Sequence, residues 1–328
     1  MNPLRGRLIP PLKMPIRISV IVPTHNRKNL LLQLLESMFR QSLPSEEFEI
    51  IVVSDGATDG TSQSVRKLYE EHPHLRLIEQ VQSGPGAARN AGARAAQGPY
   101  LAFTDDDCLA GENWLEELLQ AFQETGVAGA QGRTTTDRSA RSPLTHQIEV
   151  LNAWPAAVPT CNAAYRKDVF NKIGGFDEAF KFPHNEDADL AWRVEELGRI
   201  VFAPRAHIIH PPRRDRFWKR ARWVRGLESD FLLFCKSPDK YRKYVSPSPW
   251  QTIYWNVFVM DQVRMAKSSC RYLIKPFRPH HFIAGLGLVL ARWFNLIRFL
   301  PEYVKAQKFY SSDVAARRVK AQSPAASQ

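Results

Sequence analysis

The first 130 residues alternate between short apolar runs and stretches with helical periodicity. The apolar runs have the composition of buried strands and lie at residues 17–22, 48–53, 75–78, 100–103 and 127–132. The stretches between them predict helices, most clearly where apolar residues recur on one helical face at Leu31, Leu34, Leu35 and Met38. Strands that alternate with helices predict βαβ units and a mostly parallel sheet, so the predicted fold class is α/β.

The predicted strand at residues 100–103 is followed by three consecutive carboxylates, Asp105, Asp106 and Asp107. Adjacent carboxylates repel one another, so the arrangement is costly without a cation. Mg²⁺ and Mn²⁺ prefer oxygen ligands and often bind carboxylates together with substrate phosphates. A solvated acidic turn or a helix N-cap also explains the triplet, because aspartate is favoured in both. The triplet alone leaves both interpretations open.

Two more polar residues, Thr24 and Asp55, also come at the ends of predicted strands. In parallel sheets, ligands bind in the crevice outside the carboxyl ends of the strands. The topology therefore predicts that these residues and the acidic triplet share one ligand-binding crevice.

Charge and cysteine content narrow the class of protein. The net charge of +12 and the pI of about 9.7 favour an anionic partner, such as nucleic acid, anionic lipid or a phosphorylated substrate. The four cysteines are far apart and form no CxxC pair, which indicates reduced thiols in place of disulfides or a zinc site. Cys108 is interpreted as buried packing, since thiolates suit zinc better than magnesium. Residues 1–13 lack the apolar region of a signal peptide.

A second acidic cluster lies at residues 182–189 and includes Glu186, Asp187 and Asp189. It opens a predicted helix at residues 187–197, where acidic residues also serve as ordinary caps. His210 ends a strand-like run at residues 206–209, and a lone histidine is more often structural than a ligand. Residues 134–159 show little periodicity and are interpreted as a long loop.

Six segments in this order resemble the motifs of family 2 glycosyltransferases with the GT-A fold. The segments are SVIVPTHNR (19–27), VSDGATDGT (53–61), GAARNAG (86–92), FTDDD (103–107), GGFD (174–177) and NEDADLAWR (185–193). The resemblance extends over about residues 16–226. Each motif alone is weak, whereas six in the right order and spacing are specific.

The resemblance implies that one group of residues binds a nucleotide-sugar, with a UDP-sugar expected. This group comprises Pro23, Thr24, Arg27, Asp55, Arg89, Asp105 and Asp106. Within it, Asp55 would hydrogen-bond the base and Asp106 would face the ribose. Asp105 and Asp107 would form the family's DxD pair, with Asp107 the direct ligand of Mn²⁺ or Mg²⁺. His210 would complete the metal site.

On the other side of the sugar, the resemblance makes Asp187 the catalytic base and assigns Glu186 and Asp189 to the acceptor side. One base and no identifiable second nucleophile predict a single displacement with inversion. The expected reaction moves one sugar to a glycan or lipid-linked acceptor, as in polysaccharide biosynthesis at the cell envelope. The alternative is a non-catalytic nucleotide-binding or membrane-scaffold protein that retains the fold.

Residues 213–225 hold seven Arg or Lys residues interleaved with aromatic side chains. Such a mixture is compatible with a nucleic-acid patch, although we expect no nucleic-acid partner. These basic residues could instead cover the donor pyrophosphate or an anionic acceptor. Processive members of the family carry a Gln-x-x-Arg-Trp pattern in a comparable place. Arg222 and Trp223 match the end of this pattern. Lys219 stands where the glutamine would be, and this departure disfavours a processive polymerase.

The apolar run at residues 282–291 is too short to span a bilayer. Its Trp, Phe and Arg flanks favour a helix in the interface of an anionic membrane, and a helical subdomain packed on the core is the alternative. We therefore expect a peripheral or monotopic protein at the cytoplasmic face of the cell membrane. The predicted domains are a basic arm (1–15), a catalytic domain (16–212, divided at 107/108 into nucleotide and acceptor halves), a helical extension (213–310) and a disordered tail (311–328).

Overall fold

Ten strands and thirteen helices are seen in a computed structural model that describes residues 15–140, 142–153, 156–274 and 277–322. The strands are β1 (Ile18–Thr24), β2 (Phe48–Asp55), β3 (Leu75–Gln80), β4 (Tyr100–Phe103), β5 (Leu109–Ala110), β6 (Val127–Thr135), β7 (Thr145–His146), β8 (Ala163–Arg166), β9 (Arg199–Ile209) and β10 (Arg213–Arg214). Eight of them form one sheet in the order β3-β2-β1-β4-β8-β6-β9-β5. The remaining pair, β7 and β10, is antiparallel.

The part of the sheet formed by β1, β2, β3 and β4 is parallel. Strand β1 pairs in parallel with β2 and β4, and β2 pairs in parallel with β3. Strand β8 is antiparallel to both β4 and β6, whereas β6 and β9 are parallel. The prediction of a mostly parallel α/β sheet is confirmed. The strand-like run predicted at residues 206–209 is the end of the longer strand β9, which pairs with β6 along its length with two register shifts.

Helices cover both faces of the sheet. Successive side chains of β1 point to opposite faces, so they pack in two different apolar clusters. The helices of this part are α1 (Lys28–Met38), α2 (Thr61–Tyr69), α3 (Pro85–Ala95), α4 (Trp114–Ala121), α5 (Lys167–Lys172) and α6 (Glu186–Val194). Val20 and Val22 pack with the apolar faces of α1 and α4. Ile21 points to the opposite face and packs with residues of α3 and α6.

Helix α3 lies very close to the sheet because it is made of small residues. A Cβ atom added at Gly92 would come within 2.6 Å of Ile21 Cγ2. The small residues of α3 therefore allow its backbone to pack closely against β1. It places Arg89, one turn earlier on α3, at the carboxyl edge of the sheet.

The predicted long loop at residues 134–159 contains more structure than its sequence indicates. Strand β7 pairs with β10, and Thr134 forms an isolated antiparallel bridge with Val150. The β7–β10 pairing joins segments about 70 residues apart and the bridge joins residues 16 apart, and local periodicity indicates neither.

The C-terminal helices pack on the catalytic part of the chain. They comprise α7 (Phe217–Ala221), α8 (Ser229–Lys236), α9 (Pro238–Tyr244), α10 (Pro249–Gln251), wider helical turns at Thr252–Asp261, α11 (Gln262–Cys270), α12 (Pro279–Arg298) and α13 (Leu300–Gln322). One apolar cluster joins Trp192 of α6 to Tyr241, Leu296 and Tyr303. The predicted extension therefore shares a core with the sheet domain.

The predicted disordered tail is corrected in part, because α13 continues to Gln322. Residues 311–322 contain Ala, Arg and Lys, which favour helix. Residues 323–328 and most of the predicted basic arm, residues 1–14, lie outside the described residues. Among the helices that the structure describes, none is by itself long and apolar enough to cross a membrane. The bent pair of α12 and the first part of α13, with 49° between them, meets the length and composition test together.

Candidate active site

The acidic turn after β4 is tied to the carboxyl end of β1 through Asp106. Thr24 Oγ1 donates to Asp106 Oδ2 at 2.8 Å, and Arg27 Nη1 donates to Oδ1 at 2.8 Å. Burial raises the pKa of Asp106 to about 6, although Arg27 acts in the opposite direction. The structure thus brings together three residues that the sequence places about 80 positions apart. Pro23 lies beside them in β1, in register with Val53.

Asp107 and His210 form a pair of donors for a cation. His210 Nε2 lies 3.6 Å from Asp107 Oδ1, and both residues are buried. This separation is too long for a good hydrogen bond and short enough for both atoms to contact one cation. Within the described residues, the ring Nδ1 of His210 is buried without a hydrogen-bond partner.

Cys108 supplies the third atom of this cluster, and the three potential ligand atoms lie within 4.8 Å of one another. Burial raises the pKa of the Cys108 thiol well above its ordinary value, so the thiol stays protonated and is a poor ligand. The predicted burial of Cys108 is confirmed. The carboxylate oxygen and imidazole nitrogen that remain fit Mn²⁺ or Mg²⁺.

Asp105 has a different environment from Asp107. Its Oδ1 accepts a hydrogen bond from Arg89 Nη2 at 2.8 Å, and Arg89 Nη1 lies 3.4 Å from Glu186 Oε1. Arg89 is only 4% exposed. This buried arginine therefore links the acidic turn to the first turn of α6. A direct metal contact by Asp105 stays a prediction, because Asp107 is the member of the triplet that approaches His210.

The first turn of α6 presents Glu186 and Asp187. Asp187 is partly exposed and Glu186 is buried. Burial in the protein raises the pKa of Asp187 above its ordinary value, opposed by the backbone N–H of Ala188 and by nearby positive charge. Burial, and then repulsion by Asp187, raise the pKa of Glu186 to about 7. A carboxylate with a raised pKa and solvent access is suited to accept a proton.

Asp189 is an anchor between α6 and α8. Its carboxylate is 1% exposed and pairs with Arg193 Nε at 2.9 Å and with Lys236 Nζ at 2.8 Å. Both oxygens are therefore occupied by cations, and the acceptor-side role of Asp189 stays a prediction. Residues 187 and 189 point to different sides of α6, so Asp187 is partly exposed whereas Asp189 is buried.

Asp55 holds the turn that leads into α3. Its carboxylate accepts from Gln80 Nε2 and the Ser83 backbone N–H, both at 2.8 Å, and from the Gly84 N–H at 2.9 Å. Gly84 has φ +94°, which favours glycine. These bonds position the start of α3 and so Arg89. The predicted contact of Asp55 with a nucleotide base stays a prediction.

Two further residues lie at this edge without an individual role assigned from the sequence. Arg213 Nη1 donates to Asp107 Oδ2, and the His146 ring lies 5.8 Å from the His210 ring. Both residues arrive through the pairing of β7 with β10. Arg213 follows His210 by three residues, and this proximity is the signal that could have identified it.

Comparisons with known proteins agree with this geometry. Residues 19–182, half of the chain, match Glycosyl transferase family 2. The chain is 31% identical over 211 residues to glycosyltransferase AglE of Haloferax volcanii, covering 60% of this chain and 67% of AglE. It is 41% identical over 219 residues to validoxylamine A glucosyltransferase of Streptomyces hygroscopicus subsp. limoneus, covering 55% of this chain and 48% of that protein. The chain thus spans about half the length of that relative.

Two solved structures share the fold at about 20% identity. The mannosyltransferase PcManGT from Pyrobaculum calidifontis, in complex with GDP-Man and Mn²⁺, superposes with a TM-score of 0.58 over 86% of this chain and 89% of its own. S. aureus TarS 1–349, in complex with UDP-GlcNAc, superposes with a TM-score of 0.54 over 94% and 93%. The predicted GT-A fold is confirmed, and the chain belongs to glycosyl transferase family 2.

Proposed function

We propose that the protein transfers one sugar from a nucleoside-diphosphate sugar to an acceptor hydroxyl, in a single displacement that inverts the anomeric carbon. The observation that carries this proposal is the bridge made by Arg89 between the acidic turn and the first turn of α6. Through it, the donor-side residues and the candidate base Asp187 belong to one cleft. A single base on the acceptor side suits one displacement.

The donor side of the proposed mechanism concerns the charge of the leaving diphosphate. Asp107 and His210 would hold Mn²⁺ or Mg²⁺, and the bound ion would stabilise negative charge on the diphosphate as it leaves. Arg27 and Arg213 both contact Asp107 and add fixed positive charge at this edge. Thr24 and Arg27 hold Asp106 in place for the ribose.

A UDP-sugar donor is the first choice for this chain. TarS binds UDP-GlcNAc and PcManGT binds GDP-Man with Mn²⁺, so both kinds of base occur on this fold. Asp55 would accept a hydrogen bond from the base. The turn at Ser83 and Gly84, which Asp55 already holds, supports a fixed orientation of its carboxylate.

On the acceptor side, Asp187 would take the proton of the attacking hydroxyl while Arg89 orients its neighbour Glu186. The Asp187→Asn variant should lose about 10²- to 10⁴-fold in turnover, the usual contribution of a general base. Donor affinity should be retained, because Asp187 would contact the acceptor. The measurement is nucleotide release from a panel of nucleotide-sugars with Mn²⁺, together with donor titration.

The matched control for this test is Asp168→Asn, which changes an exposed aspartate that pairs with Arg166. It should leave turnover unchanged. Normal turnover by Asp187→Asn would refute the assignment of the base. Donor binding without turnover in the unmodified protein would favour the non-catalytic nucleotide-binding alternative.

A membrane-facing surface would suit a lipid-linked acceptor at the cytoplasmic face of the cell membrane. Five apolar residues recur on one side of α12 and are 37–68% exposed: Ile283, Leu286, Leu290, Phe294 and Ile297. Arg298 and Lys305 are basic residues at or after the end of the same stripe. An exposed apolar stripe with basic flanks is typical of helices that lie in a membrane interface.

Binding to this interface is tested with the double variant Leu290→Gln, Phe294→Gln. It should reduce sedimentation with anionic vesicles about tenfold or more, because two large apolar side chains no longer enter the interface. The control is Leu197→Gln, which replaces an exposed leucine of the sheet domain. Equal sedimentation of both variants would contradict the membrane proposal.

A further inference from the structure

A cavity of about 580 Å³ lies between the segment 136–149 and the C-terminal helices α11 and α12. Four arginines line it, together with several hydroxyl-bearing side chains. The arginines are Arg138, Arg220, Arg264 and Arg292. None of the residues that the mechanism uses belongs to this lining, so the cavity is separate from the acidic turn.

Arg292 is the most unusual of the four arginines. It is 7% exposed, and in the described part of the chain it makes no hydrogen bond or ion pair. Its guanidinium group lies over the ring of Trp223, at 5.6 Å from the centroid. Burial, and then repulsion by Arg220, lower the pKa of Arg292 to about 10. The charge of Asp261 acts in the opposite direction, but Asp261 makes its ion pair with Arg264. A buried cation without a direct ion pair is costly, which favours an anionic ligand at Arg292.

Arg220 and Thr136 add two more polar atoms with no partner. Arg220 Nε and Thr136 Oγ1 are both buried and lack hydrogen bonds among the described residues. Another nitrogen of Arg220, Nη1, lies 3.3 Å from His146 Nδ1. Because a guanidinium group can only donate, His146 accepts this hydrogen bond at Nδ1 and supplies no negative charge. The nearest opposing charge that acts on Arg220 is that of Asp215, whose ion pair is made with Lys219.

The nearby carboxylates are occupied by other cations. Glu149 pairs with Arg138, Asp261 pairs with Arg264 at 3.1 Å, and Asp215 pairs with Lys219 at 3.1 Å. Two arginine side chains, at positions 220 and 292, are left in excess. Arginine forks and hydroxyl groups together match the oxygens of a phosphate group.

His146 separates this cavity from the candidate active site. One side of the imidazole faces Arg220, and its ring lies 5.8 Å from that of His210. The cavity is thus one side chain away from the proposed metal ligands. A phosphate bound here would therefore lie close to the acidic edge.

We propose that Arg220, Arg292 and Thr136 bind a phosphate group of the sugar acceptor. The assignment to the acceptor rests on the proposed transferase function, whereas phosphate binding by the cavity does not. The acceptor class is then a phosphate ester or diphosphate ester, and a neutral glycan is disfavoured.

The test titrates purified protein, in the presence of a chelator, with hexyl phosphate and separately with inorganic phosphate, by calorimetry. Arg292→Gln should weaken binding of hexyl phosphate about tenfold or more, since a charge-assisted hydrogen bond is lost. Arg40→Gln is the control, because it makes the same change at an exposed position of the sheet domain. Asp107→Asn should bind hexyl phosphate as the unmodified protein does, which separates this cavity from the donor site.

Thermal unfolding without ligand distinguishes a binding arginine from a structural one. Removal of an unpaired buried charge should leave Arg292→Gln at least as stable as the unmodified protein. Arg220→Gln serves as a second variant if Arg292→Gln does not fold. Unchanged affinity in both variants, or loss of binding in Asp107→Asn, would overturn the site. Binding of inorganic phosphate without hexyl phosphate would overturn the acceptor assignment.

Discussion

The acidic edge of the sheet and the arginine-lined cavity beside it have opposite charge balances. At the acidic edge, three arginines (27, 89 and 213) meet five carboxylates: Asp105, Asp106, Asp107, Glu186 and Asp187. In the cavity, Arg220 and Arg292 have no paired carboxylate among the described residues. An excess of buried charge of one sign favours a bound ligand of the opposite sign. The first region therefore suits a cation, and the second suits an anion.

The largest expected effect comes from Asp107→Asn, which removes the carboxylate of the proposed cation site. Turnover should fall about a thousandfold, as when a group that stabilises transition-state charge is removed. The measurement is nucleotide release at increasing Mn²⁺ concentration. Asp239→Asn is the control, because Asp239 is 98% exposed on α9.

This variant also sharpens the contrast between the two regions. If Asp107→Asn retained metal-dependent turnover, the acidic edge would not be the cation site. The proposed difference in ligand charge between the two regions would then rest on the arginine-lined cavity alone.

The smallest expected effect concerns the pH dependence of folding stability. The pKa of Glu186 is about 7 in the folded protein, above the value of about 4.3 in an unfolded chain. Folding therefore favours the protonated carboxyl. This contribution to stability is fully present below the unfolded pKa and is lost as pH rises through the folded pKa. The free energy of unfolding should fall between about pH 4.5 and 7.

Glu186→Gln, which cannot ionise, should lack this part of the slope. Urea unfolding at several pH values measures it, and Glu70→Gln changes an exposed glutamate as the control. An equal slope in Glu186→Gln and the unmodified protein would show that Glu186 is not the group responsible. Glu186 would then be ionised at neutral pH, so the acidic edge would carry more negative charge and its contrast with the cavity would be larger.

Much of the donor side could be predicted from local patterns. The apolar runs specify the strands, and parallel topology brings their carboxyl ends to one edge, so Thr24, Asp55 and the acidic triplet were expected to converge. Two residues of the same type can nevertheless lie in different surroundings. Asp187 is partly exposed, whereas Asp189 is enclosed by Arg193 and Lys236. A predicted helix does not reveal this difference, because it depends on where α8 packs.

The sequence by itself determined the α/β class, the family motifs and the acidic residues at the strand ends, since these follow from short-range periodicity and residue chemistry. Tertiary structure decided which charges are paired. Arg89 reaches both Asp105 and Glu186, and Arg213 reaches Asp107, over separations of 16, 97 and 106 residues. Arg292 remains unpaired because α12 packs beside Trp223 and Arg220. Electrostatic compensation depends on distance in space, and that distance is set by packing between distant elements.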